Sequence, residues 1–315
     1  MKKIVIFGGG SGLSQLLKGL IQFPVDITAV VSVSDDGAST GRLRNEFDIP
    51  AVGDITKVLM SMSTESKDVK DLFNYRFKDD SSIGNHSIKN LIMTALLEMK
   101  GDFAHSLPIL CDLLDVKGKI LPLTEDNVDL IGITKDGIEI IGEEEITEAR
   151  SQIVDLKYNK IVHVTKKVLD EIKKADLIIF SSGSLITSIM PHIIVPEIQD
   201  AVKKSKADKM YVCNMITQPG ETDDFKVSDH INFLEKYLGN NQINIVIANN
   251  AKLPRNLKSL AKAEGKTAVL IDDKELEKKN IRLICDKLYK VESSIIRHDS
   301  LKTAYLIFSY LMEKI

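Results

Sequence analysis

The stretch Ile4-Val5-Ile6-Phe7-Gly8-Gly9-Gly10-Ser11-Gly12-Leu13 carries the strongest structural signal in the chain. Four consecutive apolar residues describe a strand buried on both faces, and the glycines after it let the backbone turn tightly and approach a ligand. Leu13, Leu16, Leu17 and Leu20 then recur at the spacing that covers one face of a helix. A strand, a glycine loop and an amphipathic helix in that order put the positive end of the helix at the loop, where anionic oxygens bind. The segment is read as a phosphate-binding loop, with Gly9, Gly10, Ser11, Gly12 and Leu13 as its contacts. Leu13 stands where the dinucleotide fingerprint GxGxxG has its third glycine, and Gly12 lies one residue early, which argues against NAD.

Further apolar runs at Ile27 to Val33, Leu177 to Phe180, Met210 to Cys213 and Ile243 to Ala248 mostly precede a polar turn and a helical pattern. The alternation predicts a Rossmann-like α/β fold, a mostly parallel sheet flanked by helices. Ala268 to Ile271 and Ile281 to Cys285 extend the strand pattern, and a helical pattern closes the chain from Ser300 to Met312. Between the second and third runs, approximately residues 60–165, a largely helical stretch reads as an insertion lobe beside the sheet. Within it, Asp129 to Thr134 and Ile138 to Ile141 flank Lys135-Asp136-Gly137 as a β-hairpin. No repeat or linker divides the chain, so residues 1–315 are expected to form a single domain.

With 43% hydrophobic residues, the 315-residue chain has enough apolar material for a substantial core. Its 42 basic and 45 acidic residues nearly balance, and no Lys/Arg run forms the stripe of a nucleic-acid groove. No stretch approaches the roughly 20 apolar residues of a membrane span. The amino-terminal apolar run is too short for a secretion signal, so a cytoplasmic location is expected. Cys111, Cys213 and Cys285 lie far apart, with no CxxC pairing.

In an open parallel sheet, ligands bind outside the carboxyl ends of the strands. There the second run leads into Asp35-Asp36-Gly37-Ala38-Ser39-Thr40-Gly41-Arg42-Leu43-Arg44. Asp35 or Asp36 is suited to a ribose hydroxyl or a magnesium ion, and Arg42 and Arg44 to phosphate. Ser39 belongs to the same clamp. Asp54 is a helix N-cap or, with Asp36, a magnesium ligand, and both readings stay open. Asn85, His86 and Asn90 open another helix and are candidate ligand contacts. Gly183 and Ser184 end the third run, Asn214 ends the fourth and Thr217 follows it, and Asn249-Asn250 ends the fifth. Arg297 is a candidate anion contact before the last helix, where Asp299 competes as a cap. No Ser/His/Asp order, HExxH or CxxC set marks a catalytic residue.

Taken together, Gly8 to Ser14, Ser34-Asp35-Asp36-Gly37, Ser39 to Arg44, Gly53-Asp54-Ile55, Phe73-Asn74-Tyr75-Arg76-Phe77, Thr217-Gln218-Pro219-Gly220-Glu221-Thr222 and Asp229-His230 resemble the YvcK family of gluconeogenesis factors. That family is related to the CofD family of magnesium-dependent 2-phospho-L-lactate transferases. The resemblance implies a cytoplasmic bacterial regulator that binds a UDP-sugar, such as UDP-N-acetylglucosamine or UDP-glucose, and is linked to gluconeogenic growth, cell-wall synthesis and cell shape. It places the glycine loop and Arg297 near the diphosphate, Asp35 and Asp36 near the nucleotide or a metal, and Asn214 with Thr217 near the ligand cleft. One departure stands out: Ser181-Ser182-Gly183-Ser184-Leu185 replaces the family's Gly-Pro-Gly-Ser-Leu. The expected protein is a UDP-sugar-binding regulator, with a homodimer as its assembly and a CofD-like transferase using magnesium as the alternative.

Overall fold

The computed structural model describes residues 1–292 and 295–313. β1 (Lys2–Gly8) runs into α1 (Gly10–Leu20) and β2 (Val25–Val31), which lies parallel to β1 with Ile4 opposite Ile27. α2 (Ala38–Phe47), α3 (Gly53–Met62), α4 (Lys67–Asn74), α5 (Ile88–Lys100) and α6 (Phe103–Leu113) follow, then β3 (Lys119–Pro122). A small lobe holds β4 (Leu130–Thr134), β5 (Glu139–Ile141), α7 (Glu143–Ala149) and β6 (Ile153–Tyr158). α8 (Lys166–Lys174) returns the chain to the sheet as β7 (Leu177–Phe180), followed by a π-helical turn at Leu185–Ile189. α9 (Met190–Ile193), α10 (Pro196–Lys204), β8 (Asp208–Val212), α11 (Val227–Leu238) and β9 (Ile245–Asn249) come next. The chain ends with α12 (Arg255–Ala263), α13 (Asp273–Lys278), β10 (Arg282–Asp286), the hairpin β11 (Tyr289–Glu292) and β12 (Ile295–His298), and α14 (Ser300–Met312).

The described residues form one seven-stranded sheet, ordered β10-β9-β8-β7-β1-β2-β3, in which every pairing is parallel. Side chains alternate across it: Ile4 and Ile6 join the core on one face, while Val5 and Phe7 join the core on the other. Apolar residues at every position of β1 from Ile4 to Phe7 therefore find a buried place, which is why these strands read as continuous runs. The predicted stripe of Leu13, Leu16, Leu17 and Leu20 is fully buried.

Two local expectations are revised. β3 pairs with β2, so the main sheet passes through the stretch read as an insertion beside it. Four residues ending in proline gave no strand signal, and proline is tolerated there because β3 is the sheet's edge. Ala268 to Ile271 forms no strand and makes only an isolated bridge, Ala268 to Ile216, because β10 already occupies the place beside β9. The hairpin around Gly137 (φ 79°) forms as expected, and β6 adds a third antiparallel strand. Among the described residues, no helix is long and apolar enough to cross a membrane.

Candidate functional site

Strand order reverses between β1 and β7, and the loops leaving these two strands meet over the carboxyl edge of the sheet. Their contact is backbone against backbone: a Cβ on Gly12 would lie 2.6 Å from both the Cα and the N of Gly183. Gly10 adopts φ 57°, a left-handed conformation that glycine enters without strain. Gly9 is the N-cap of α1 and offers no side chain to cap it, and no acidic residue occupies the helix's first turn. The amino end of α1, at Ser11 and Gly12, borders the cleft.

Asp54 approaches this loop from α3. It is not an N-cap, since Val52 occupies that position, and it accepts a backbone hydrogen bond from Gly10. It also pairs with Lys57 at 3.0 Å. Burial pushes the Asp54 carboxyl above its ordinary value and nearby Asp35 pushes the same way, against the pull of Lys57. Burial also penalises the Lys57 ammonium, but the summed attraction of Asp54, Asp35 and Glu143 outweighs it and holds that group above the ordinary lysine value. Glu143, which carries no motif or spacing signal, has its Oε2 buried without a partner. Burial, then repulsion from Asp54, Asp35 and Asp36, raises its carboxyl well above the usual range.

Asp36 has other work. Its two oxygens accept the Glu143 and Glu144 N–H groups at 3.1 and 2.9 Å, so it caps α7 and ties the small lobe to the sheet. With Asp36 committed to α7 and Asp54 paired with Lys57, these carboxylates do not form a magnesium site as placed. Among the described residues, no group of three or more His, Cys, Asp or Glu side chains is arranged to hold a metal ion.

Around a cavity of about 400 Å³ lie Asp35, Ser39, Lys57, Asn85 and Asn90. Ser39 Oγ bonds His86 Nδ1 at 3.0 Å, and Asn90 Oδ1 accepts from Thr56 Oγ1 at 2.7 Å. Burial, then the charge of Arg42, lowers the His86 pKa and favours its neutral form. Asn85 Nδ2 donates to Asp79, and Arg42 donates to the Gly84 carbonyl, so both hold the loop before α5. Arg44 leaves the cleft altogether: it is buried and donates to Asn127 Oδ1, the Val128 carbonyl and Asp129 at 2.6, 2.8 and 2.6 Å. It is a tie to the small lobe and not a phosphate contact.

At the other end, Ser11, Gly12, Ser182, Asn214, Thr217 and Arg297 border a cavity of about 430 Å³. Asn214 Nδ2 donates to the Gly183 carbonyl at 3.0 Å, while its buried Oδ1 has no partner. The Thr217 hydroxyl accepts the Thr267 N–H at 2.9 Å, a structural engagement at the edge of the cavity. Ser184 caps the π-helical turn and bonds Glu221. A third cavity, of about 460 Å³, shares Ser11, Gln15 and Arg297 with this one, and Lys57 and Lys89 with the first. One cleft thus runs across the glycine loop. Asn249 and Asn250 border a separate cavity of about 710 Å³, outside that cleft. Gln15, Lys57, Lys70 and Lys89 line this cleft without having stood out in the sequence. Only Lys57 had a sequence signal, its position three residues after Asp54 on one helix.

A glycine loop at the reversal point of an all-parallel sheet, with polar strand ends around it, defines a Rossmann-like α/β protein. The chain belongs to the CofD family: the pattern of 2-phospho-L-lactate transferase CofD matches residues 4–289. It is 40% identical over 312 residues to the gluconeogenesis factor of Bacillus subtilis strain 168, covering 99% of this chain and 98% of that protein. It is 36% identical over 307 residues to the gluconeogenesis factor of Halalkalibacterium halodurans, covering 97% and 95%. A crystal structure of a Bacillus halodurans protein superposes with a TM-score of 0.94 at 36% identity, covering 98% of this chain and 99% of that one.

Proposed function

We propose that the protein binds a UDP-sugar, UDP-N-acetylglucosamine or UDP-glucose, and acts in the cytoplasm as a regulator without turnover, coupling carbon metabolism to cell-wall synthesis and cell shape. The observation that carries this reading is the close junction of the Gly12 and Gly183 backbones, which sets the amino end of α1, at Ser11 and Gly12, on the wall of the cleft, where a diphosphate fits. Arg297 borders the same wall as Ser11 and supplies a charge-assisted donor. The partnerless Asn214 Oδ1 suits a uracil N–H or a sugar hydroxyl. The gluconeogenesis-factor names of the relatives support the regulatory half.

The family match raises a second reading, transfer of a phospholactyl-type group from a nucleotide-activated donor. The engagement of Asp36 and Asp54 weighs against it. A thermal-shift panel of UDP-sugars, UDP, GDP and NAD, with and without magnesium, separates the readings. The expected result is stabilisation by UDP-sugars, about 3 kcal/mol at a hundredfold excess over Kd, insensitive to magnesium. No shift with any UDP species overturns the regulator reading. Turnover with a deazaflavin acceptor installs the transferase. A Gly10→Asp variant is expected to lose binding, since it forces φ 57° on a side chain and adds a carboxylate beside Asp54.

A further inference from the structure

The central cavity of about 460 Å³ is cationic. Lys18 comes to it from α1, Lys57 from α3, Lys70 from α4 and Lys89 from α5, and its lining includes no carboxylate among the described residues. Lys57 is matched by Asp54. Lys89 Nζ donates to the neutral Asn74 Oδ1 at 2.6 Å. Among the described residues, Lys18, Lys70 and Lys89 make no ion pair. Burial, then the positive charges of Lys57 and Arg76, pushes the Lys89 ammonium down to about 8, so the free protein holds this group at a cost. A second observation points the same way: Ser14 Oγ, on the wall of this cavity, is buried without a hydrogen-bond partner. A cluster of half-buried ammonium groups beside an unused hydroxyl is stabilised by an incoming oxyanion, which supplies both the missing charge and the missing acceptor.

We propose that Lys70, Lys89 and Ser14 form a second anion subsite, for a phosphate or carboxylate group additional to the diphosphate at the glycine loop. α3, α4 and α5, which carry Lys57, Lys70 and Lys89, contribute nothing to the cavity of Asn214 and Thr217. The subsite is therefore a separate recognition element. It deepens the UDP-sugar reading and rests on it only for the placement of the diphosphate. The anion is carried either on the nucleotide sugar itself or on a second small molecule bound beside it.

Titration calorimetry on the full chain distinguishes these sources. UDP-glucose, UDP-glucuronate and, at saturating UDP-glucose, 3-phosphoglycerate are titrated into wild type and the double variant Lys70→Gln/Lys89→Gln. At least one acidic probe should bind about tenfold more tightly to wild type than to the variant, while UDP-glucose changes by less than about threefold. A preference for UDP-glucuronate places the anion on the sugar, and binding of 3-phosphoglycerate places it on a second molecule. The melting temperature of the ligand-free variant should equal or exceed that of wild type, because the Lys89 charge and its repulsion from Lys57 and Arg76 are gone. The proposal is overturned if neither acidic probe depends on these lysines, or if UDP-glucose weakens as much as the acidic probes. If no UDP species binds but 3-phosphoglycerate alone does, and the variant loses it, the subsite stands and the UDP-sugar reading falls.

Discussion

Ser184 and Glu221 join the loop after β7 to the turn after β8: the serine hydroxyl donates to the Glu221 carboxylate, and the Ile186 N–H donates to the same oxygen at 3.3 Å. Gln218 Nε2 donates to the other oxygen at 2.8 Å. The π-helical turn that begins at Leu185 is thus anchored by one buried acid, and the backbone that meets Gly12 is held from behind.

Glu221 should make stability depend on pH. Burial raises its carboxyl from 4.5 to about 7, with the Ser184 and Ile186 hydrogen bonds pulling only partly back. The folded state keeps a proton that the unfolded state releases, so this contribution is full below about pH 4.5 and is lost as pH rises through about 7. Relative to Glu221→Gln, wild type should lose on the order of 3 kcal/mol across that window. Denaturant unfolding at several pH values measures it, and parallel curves for the two proteins would refute the assignment.

His192 should act in the opposite sense. Its ring is fully buried, Nε2 meets the Gly8 carbonyl at 3.1 Å, and burial lowers its pKa from 6.5 to about 4. The unfolded chain binds the proton first, so stability present above about pH 6.5 is lost as pH falls through about 4. A His192→Phe variant should be about 1 kcal/mol less stable at pH 7, since Gly8 O still accepts the Ser32 N–H. It should also lose less stability than wild type on acidification. An unchanged acid limb in the variant would show that other groups govern it.

Gly12→Ala should disrupt the junction of the two loops. The added Cβ meets backbone at 2.6 Å, and backbone cannot rotate aside as a side-chain tip can. Overpacking of this kind costs about 2–3 kcal/mol, and the displaced α1 amino end should lose its ligand. Calorimetric titration with UDP-glucose checks the second half, and wild-type affinity would mean that the phosphate lies elsewhere.

Asp36→Ala should loosen the small lobe. Removing the acceptor for the Glu143 and Glu144 N–H groups costs about 1 kcal/mol. It also takes a repelling charge from Glu143, so the loss should be smaller at high pH than at low pH. Limited proteolysis near α7 should accelerate, and unchanged cleavage would count against the capping role.

The α/β class, the glycine loop, the buried stripe of α1 and the family pattern are all legible in the chain before it folds. These depend on local periodicity and on backbone conformations that glycine alone enters easily, both of which are written residue by residue. Where the charges go depends on packing between distant segments. Arg42 and Arg44 lie two residues apart, yet Arg42 reaches Gly84 near the cleft and Arg44 is buried against Asn127 to Asp129. Asp35 and Asp36 are adjacent, yet Asp35 lines the cleft and Asp36 caps a helix more than a hundred residues away. Lys57, Lys70 and Lys89 belong to three helices and converge on one cavity only once those helices pack together. A long charged side chain goes where distant segments leave it space and a partner, and no local pattern encodes that destination.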